Sequence, residues 1–403
     1  MDIKIAASII LLCTLYGCGG GGGGNVDSNQ FSVITVSLSS SSTEVAIGSD
    51  VTLTWSSTNA QSCSASGGWS GNKSISGSEE VSINNEGNNT FNLSCSGSNA
   101  SSGSASIQVI GLVNRVNITN EIFSNRSSDC ASYEEKYGSN VRDLTRAIDF
   151  EGYVDVDAFD TYCNLSSDNI PNHDFNDSSA NFASDVIERE RVFKVKRFPE
   201  LASQNTEIVR GVWDAVLLNG VVVDLKSAGC YSPSSQNANS DGNIAAGCGG
   251  TAQWNLVPLE YKSMFRVDIH NAHVQPDGSY HYHGNPNAMF DDTPSGDGSP
   301  MIGFAADGFP IYGSYILDDQ TGSYRKVLSG YTRKLGSRGI QSNTNPGGSF
   351  TGIYEEDWEW TDAGDLDECN GMTFKGQYGY YVTDSFPYII NCFKGEPDPS
   401  FDK

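Results

Sequence analysis

The chain has 403 residues and carries 24 Lys and Arg against 49 Asp and Glu, a formal net charge of −25. This acidic balance argues against nucleic acid or an anionic membrane face as a partner, because phosphates would be repelled. The length predicts two or three domains. A charged fraction of 18% with 44 glycines is typical of a secreted β-protein rather than a helical cytosolic enzyme. Only five histidines are present, so their positions are informative.

The first residues predict an exported protein. Lys4 precedes the apolar run Ile5–Cys13, which is too short for a transmembrane span and is typical of a secretory signal. The ending Leu15-Tyr16-Gly17-Cys18 resembles a bacterial lipobox, which implies a lipoprotein signal peptide over residues 1–17 and lipidation of Cys18. The alternative is an ordinary signal peptide with an incidental cysteine.

Residues 18–30 contain a glycine run and predict a flexible tether. Gly19, rather than Asp, follows the candidate lipidated cysteine, which by the usual bacterial sorting rule indicates the outer membrane. The predicted location is the outer membrane, the cell surface or the periplasm of a bacterium. The lipid is the one membrane contact expected, since no later segment approaches the length of an apolar span.

Residues 31–111 are rich in Ser, Thr, Asn and Gly, with short alternating runs such as Val51–Trp55 and Phe91–Cys95. Alternation with a period of two, broken by polar turns, predicts a β-sandwich. The stretch VTLTWSSTNAQSCSASGGWSG resembles the Ig-like modules of bacterial surface proteins. Its first cysteine follows the tryptophan, which departs from the antibody spacing, so a disulfide between the sheets is not expected. The absence of histidine favours a passive spacer.

Residues 112–403 predict a larger, mixed but mainly β domain with long loops pinned by disulfides. Asn114–Thr119 and Phe193–Lys196 are predicted strands, and Glu134–Ile148 is a predicted short helix. Val212–Leu225 predicts a hairpin around its Asn-Gly pair, the strongest short hairpin signal. The fold class predicted for the whole chain is therefore mainly β.

Eight cysteines remain after the signal and the lipidation site, and an even number in an exported chain predicts disulfides. Their spacing separates them into four sequential pairs. The predicted bonds are Cys63–Cys95, Cys130–Cys163, Cys230–Cys248 and Cys369–Cys392. No Cys-x-x-Cys motif is present, which argues against a cysteine zinc site.

Four of the five histidines lie within fourteen residues, from His270 to His283. Pro276-Asp277-Gly278 predicts a three-residue hairpin loop between them, because Pro presets its backbone angle, Asp caps the turn and Gly takes a positive φ. Counting outward from this loop pairs His273 with His281. Side chains alternate between the faces of a strand, so His273, His281 and His283 are predicted to share one face.

Three imidazoles on one hairpin face can converge on one metal ion, and the pattern resembles the zinc site of carbonic anhydrases. Imidazole suits several transition metals, and zinc or copper is the predicted cofactor. The alternative is a set of hydrogen-bonded structural histidines or a substrate-binding surface. His270, Tyr280 and Tyr282 are predicted to face the other way.

QPDGSYHYHG, at residues 275–284, matches the signature of the bacterial YHYH-motif proteins. The resemblance covers about residues 115–395, with Asp168-Asn169 standing where Asn-Gly is expected. Because that family has no settled activity, the resemblance sharpens the fold and the site more than the function. Other segments that resemble family motifs are Ile170–His173, Leu218–Val221, Phe304–Gly313, Gly364–Gly371 and Phe386–Tyr388.

The resemblance also brings in two candidate catalytic residues. His173 lies in a family motif and is predicted to be a fourth metal ligand or a proton carrier on the rim of the site; the alternative is a surface-loop histidine. Asp307 is predicted to orient a histidine of the cluster, or to form only an Asx turn. Asp277 is predicted to be a turn residue.

Acidic residues concentrate in Glu355–Asp357 and Asp362–Glu368. Calcium uses such carboxylates, so a calcium site is a second possibility beside a solvated acidic loop. Three functions follow from these patterns. The first is an exported, lipid-anchored metal-binding protein. The second is a metal-dependent hydrolase or lyase at the same site, and the third is a cell-surface adhesion or glycan-binding protein.

Overall fold

The computed structural model describes residues 33–98, 101–249 and 252–403. The described chain is nearly all β, which confirms the predicted fold class. Its contacts divide it into two compact units, one ending at Val113 and the other beginning at Asn114. The predicted signal peptide, Cys18 and the tether lie outside the described residues. Within the described ranges, no helix is both long and apolar enough to cross a membrane.

The first unit consists of two antiparallel-rich sheets. One has the strand order β1-β3-β6 and the other has the order β2-β8-β7-β4-β5. These strands are β1 Thr35–Ser40, β2 Glu44–Ala46, β3 Asp50–Thr58, β4 Ser62–Gly67, β5 Gly71–Lys73, β6 Ser76–Ser82, β7 Gly87–Ser96 and β8 Ser102–Leu112.

Buried side chains from both sheets form one core, as in a β-sandwich. Leu53 and Trp55 of β3 alternate with exposed neighbours and meet Phe91 and Leu93 of β7 in this core. The Cys63–Cys95 disulfide joins β4 to β7, neighbouring strands in which the two cysteines are direct register partners. The bond therefore lies within one sheet, as the departure from antibody spacing predicted.

In its described residues, the second unit contains 21 strands and only short helices. The helices are α1 Lys262–Phe265 and the 3-10 turns Cys130–Tyr133, Pro258–Glu260, Glu355–Asp357 and Pro399–Phe401. The strands are β9 Val116–Asn117, β10 Glu135–Asp143, β11 Ile148–Ala158, β12 Tyr162–Ser167, β13 Arg191–Lys196, β14 Thr206–Glu207, β15 Ala215–Leu217, β16 Val222–Val223, β17 Cys230–Tyr231, β18 Asn243–Ile244, β19 Ala272–Val274, β20 Tyr280–Tyr282, β21 Met301–Ala305, β22 Pro310–Tyr312, β23 Tyr315–Asp318, β24 Ser323–Lys326, β25 Tyr331–Arg333, β26 Trp358–Trp360, β27 Gly371–Phe374, β28 Gln377–Tyr381 and β29 Cys392–Phe393.

Two sheets dominate this unit. The larger has eight strands in the order β19-β20-β16-β15-β21-β22-β28-β27, and the smaller has the order β13-β12-β11-β10-β9. Side chains of both belong to one continuous core, including Leu165 and Phe193 of the smaller sheet and Val216 and Phe304 of the larger. The histidine hairpin β19-β20 forms one edge of the large sheet, where β20 also pairs in parallel with β16.

The predicted helix over Glu134–Ile148 is wrong. Most of the segment forms β10, which runs antiparallel to β11 along its whole length, and the segment ends in the turn that leads into β11. Ser139 and Val141 are buried while Asn140 between them is exposed, a period of two rather than 3.6. The segment is too polar to show its own period clearly, so pairing with β11 and burial against the core decide its structure.

The predicted hairpin in Val212–Leu225 is confirmed as β15 and β16, joined by a tight turn in which Gly220 has φ of +83°. A side chain at Gly220 would also collide with Ser167.

The disulfides of the second unit agree with the prediction. The three predicted cysteine pairs are the ones present, Cys130–Cys163, Cys230–Cys248 and Cys369–Cys392.

Candidate metal centre

The histidine hairpin has the register that turn chemistry predicted. Gly278, with φ of +90°, donates its N–H to Gln275, whose own N–H bonds to the Ser279 carbonyl. His273 consequently lies opposite His281. Alternation along β20 then carries His283 to the same face as His281.

The three imidazoles converge through their Nε2 atoms. The Nε2 atom of His283 lies 3.1 Å from that of His281 and 3.1 Å from that of His273. Nitrogens bound to one zinc ion at ~2.0–2.1 Å in a tetrahedral arrangement lie about 3.3 Å apart. The spacing of the cluster is therefore close to that of three ligands of one ion.

The other ring nitrogens determine which tautomers are present. Nδ1 of His273 lies 2.6 Å from the Phe265 carbonyl, and Nδ1 of His281 lies 3.2 Å from the Ser279 carbonyl. A carbonyl only accepts, so both Nδ1 atoms carry hydrogen, and in the neutral rings both Nε2 atoms present lone pairs to the cluster. The single proton of a neutral His283 ring cannot satisfy both of them fully.

Burial keeps these rings neutral. It lowers the pKa of His273 and of His281 to about 3, with the neighbouring His281 adding to the effect on His273. The pKa of His283 is also lowered well below its usual value by burial. Neutral imidazole is the form that binds metal, so the cluster has its ligands ready at neutral pH.

The opposite face of the hairpin carries the two tyrosines of the motif. Both are fully buried, and the Tyr280 hydroxyl donates to the Asp268 carboxylate at 3.0 Å. The Tyr282 hydroxyl accepts from the Asn219 side-chain amide at 2.9 Å. These tyrosines anchor the hairpin to the core, as predicted.

His173 lies on this tyrosine face and is not brought to the cluster. Its Nδ1 donates to the Asp174 carbonyl at 2.8 Å, so its Nε2 accepts from the Tyr282 hydroxyl at 2.6 Å. Its ring stacks on His270 with a centroid distance of 3.7 Å. Because both ring nitrogens are hydrogen-bonded, His173 is a buried core residue that positions Tyr282 and does not join the three histidines as a fourth ligand.

We therefore expect His173→Ala to lower the free energy of unfolding by about 2–4 kcal/mol, because it leaves a cavity and removes the acceptor of the Tyr282 O–H. Metal content should stay at the wild-type level, because the three converging Nε2 atoms are untouched. Chemical denaturation and elemental analysis measure the two quantities. His270→Ala is the control on the same face; its half-buried ring should cost less stability. Loss of metal in His173→Ala alone would restore the fourth-ligand hypothesis.

A cleft of about 530 Å³ opens beside the cluster, and all three histidines line it. Among the described residues, no fourth metal-ligating side chain joins these three. The one other grouping of candidate ligands in the described ranges is Asp129 with Cys130 and Cys163, whose sulfurs are committed to a disulfide. A metal on the three histidines would therefore be held by three ligands from the described part of the chain, beside the cleft.

The histidine hairpin lies within a stretch of the chain that matches a known protein family. The model for the family described as YHYH protein matches residues 192–395, slightly more than half of the chain. The chain belongs to the YHYH protein family. The matched range contains the histidine hairpin but begins later than the predicted limit near residue 115, so His173 lies outside it. No curated protein and no solved structure matches the chain.

The geometry gives the YHYH tetrapeptide a physical meaning. Strand alternation sends His281 and His283 to the cleft and Tyr280 and Tyr282 to the core. The tyrosines hold the strand rigidly, and the histidines thereby present their Nε2 atoms at fixed positions.

Sequence reasoning missed a carboxylate beside the cluster of this YHYH protein. Asp224 follows β16 and lies on the histidine face, because Val222 is the register partner of His281. Its Oδ2 accepts from Gln275 at 2.7 Å, and its buried Oδ1 has no hydrogen-bond partner among the described residues. Burial raises its pKa, and burial together with Asp224 raises the pKa of the adjacent Asp214 to about 8.

Asp307 is placed elsewhere. It sits in the turn between β21 and β22, where it accepts from the Phe309 backbone at 3.2 Å. Its carboxylate also accepts from the Tyr380 hydroxyl at 2.6 Å and from the Gly395 backbone at 2.9 Å. These partners make it a buried Asx-turn residue, and none of them belongs to the histidine cluster.

Most of the acidic side chains in the two segments considered for calcium form ion pairs with lysine or arginine. Asp357 pairs with Arg338, and Asp365 with Arg325. Lys394 bridges Asp367 and Glu368. In the described ranges these carboxylates form no ligand group comparable to the histidines.

Proposed function

We propose that this protein binds one transition-metal ion, zinc or copper, through Nε2 of His273, His281 and His283. The observation that carries the proposal is the convergence of these atoms with the tautomers of His273 and His281 fixed by carbonyls. Two neutral rings aim lone pairs at one point inside the protein, an arrangement that is unfavourable without a cation and favourable with one.

The chemistry of the donor set supports zinc or copper over harder ions. Three imidazoles suit these metals, whereas magnesium and calcium prefer oxygen ligands. All eight cysteines in the described ranges form disulfides, so none of them is available as a thiolate ligand for a metal. Those disulfides also support an oxidising compartment, in line with our proposal that the protein is exported and lipid-anchored at Cys18.

Elemental analysis of protein made without a histidine tag tests the proposal. Wild type should carry about one zinc or copper per chain, and the His281→Ala/His283→Ala variant should carry none. His270→Ala removes a histidine from the same hairpin outside the cluster, and it should keep the metal. Equal, sub-stoichiometric metal in wild type and the double variant would refute the proposal.

A second function, a metal-dependent hydrolase or lyase, is favoured by the cleft and by Asp224. Zinc held by three histidines with an open position acts as a Lewis acid in such enzymes. Asp224 places on the same face a carboxylate oxygen that has no hydrogen-bond partner among the described residues, and this oxygen would take up a proton during the reaction. Ester hydrolysis that disappears both on chelation and in Asp224→Asn, with metal retained in that variant, would support this role.

A further inference from the structure

The charged side chains that line the cleft are mainly basic, although the protein as a whole is acidic. Acidic residues outnumber basic ones about two to one in the chain, yet the cleft is lined by four basic side chains and a single carboxylate. The carboxylate is Asp224, and the basic residues are Arg210, Lys226, Arg266 and Lys403. Positive charge in a concave, partly apolar site concentrates anions there even when the whole molecule repels them.

Two of these four cations have no ion-pair partner among the described residues. Lys403 pairs with Asp224, and Lys226 pairs with Glu355. Within the described ranges Arg210 donates only to neutral acceptors, and Arg266 donates to one backbone carbonyl, that of Asn181. The lining therefore carries a surplus of positive charge after its internal pairs are counted.

Arg210 is positioned as a binding group. Its Nε donates to the Ser227 carbonyl at 2.6 Å, and its terminal nitrogens donate to the Cys248 carbonyl at 2.9 Å and to Asn255 Oδ1 at 2.7 Å. A guanidinium has five N–H donors, so two remain. Because three bonds hold the group in place, little side-chain entropy would be lost when an anion binds to the other two.

The loop that holds Arg210 also forms a wall of the cleft. Cys248 ends the loop closed by the Cys230–Cys248 disulfide, and Ser227 lies three residues before its start. Ala245 and Ala246 of this loop line the cleft, together with Ala228, which lies just before it. The disulfide thereby constrains both this wall and the Cys248 carbonyl, one of the acceptors that orient the guanidinium.

Most of the remaining lining is apolar, although Ser184, Ser227 and Gln275 also contribute. Phe182, Met264, Phe265 and Val274 face the cleft together with the alanines. Apolar walls around a few convergent polar groups are typical of sites for small organic molecules. The ligand that fits has a hydrocarbon or aromatic part and one anionic group.

We propose that the cleft binds a small organic anion, a carboxylate or a phosphate monoester, with its charged group on Arg210 and its apolar part against Phe182 and Met264. Arg266 adds long-range attraction. The cleft brings this ligand to the histidine cluster, and in that respect alone the proposal rests on the proposed metal function.

Calorimetry on the full chain with benzoate, phenyl phosphate and neutral benzamide tests the proposal. At least one anion should bind about 10-fold or more tightly than benzamide, and its affinity should fall with added salt. The preference should persist, weakened, after chelation. Equal binding of all three probes, or an anion preference that vanishes completely on chelation, would overturn the proposal. The first outcome would leave the metal content, and hence the proposed function, intact.

Variants locate the anion. Arg210→Gln should weaken the preferred anion about 10-fold or more, and Arg266→Gln by a smaller factor. Arg333→Gln is the matched control for Arg266→Gln, since Arg333 also donates to a backbone carbonyl, that of Thr351, but lies outside the cleft. Thermal melting and metal content report whether each variant folds. If Arg210→Gln fails to fold, Arg266→Gln against Arg333→Gln decides: equal affinities would count against the proposal.

Discussion

Chelation should lower the thermal unfolding midpoint of the metal-loaded protein by about 5–10 °C. A ligand that binds only the folded state at one hundred times its Kd adds about 2.7 kcal/mol, and 1 kcal/mol shifts the midpoint of a domain this large by about 2–4 °C. The effect belongs to the second unit, because the first unit contains no histidine. Calorimetric scans with and without chelator measure the shift.

The His281→Ala/His283→Ala variant is the control for that result. It should melt at the same temperature with and without chelator, because two of the three converging nitrogens are gone. Each protein is compared with itself, so packing lost by the substitutions does not enter the difference. A chelator shift of equal size in the variant and the wild type would place the metal elsewhere in the molecule.

Asp357→Ala should lower the free energy of unfolding by about 3–5 kcal/mol. The Asp357 carboxylate and the Arg338 guanidinium form an ion pair with side chains 0% and 5% exposed, and Gly352 donates its backbone N–H to the same carboxylate at 2.9 Å. Removing the carboxylate leaves a buried positive charge without its partner, which is strongly destabilising. Denaturation in urea measures the change.

Asp149→Ala provides the comparison for this second result. Asp149 pairs with Arg142 at the surface with its side chain 77% exposed, so its loss should cost no more than about 1 kcal/mol. Stability should also be measured with added calcium, because Asp357 lies in a segment whose composition suggested a calcium site. Stability of the wild type that rises with calcium, and fails to do so in Asp357→Ala, would show that the carboxylate serves an ion instead of Arg338.

The core of the site was predictable because it depends on short-range rules. Pro276-Asp277-Gly278 specifies a turn, the turn specifies the register, and strand alternation then places His273, His281 and His283 together. The disulfides were predictable for a related reason, since each joins a cysteine to the next cysteine along the chain. Each of these inferences required only counting residues outward from a turn or following the order of the cysteines along the chain.

The surroundings of the site were not predictable in this way. Asp224 reaches the histidine face because β16 pairs in parallel with β20, a contact between segments almost sixty residues apart. His173 belongs to the tyrosine face because its Nε2 accepts from Tyr282 across the core. No pattern within either segment specifies these neighbours.

The sequence by itself therefore determined the mainly β class, the disulfide pairs and the three-histidine face, since alternation, turn chemistry and cysteine spacing act within a few residues or within one closed loop. Only the tertiary structure decided that Glu134–Ile148 contains a strand and not a helix, that His173 and Asp307 are core residues, and that a positively lined cleft opens beside the histidines. Those outcomes depend on long-range strand pairing and burial, which weigh each segment against partners that its own sequence does not specify.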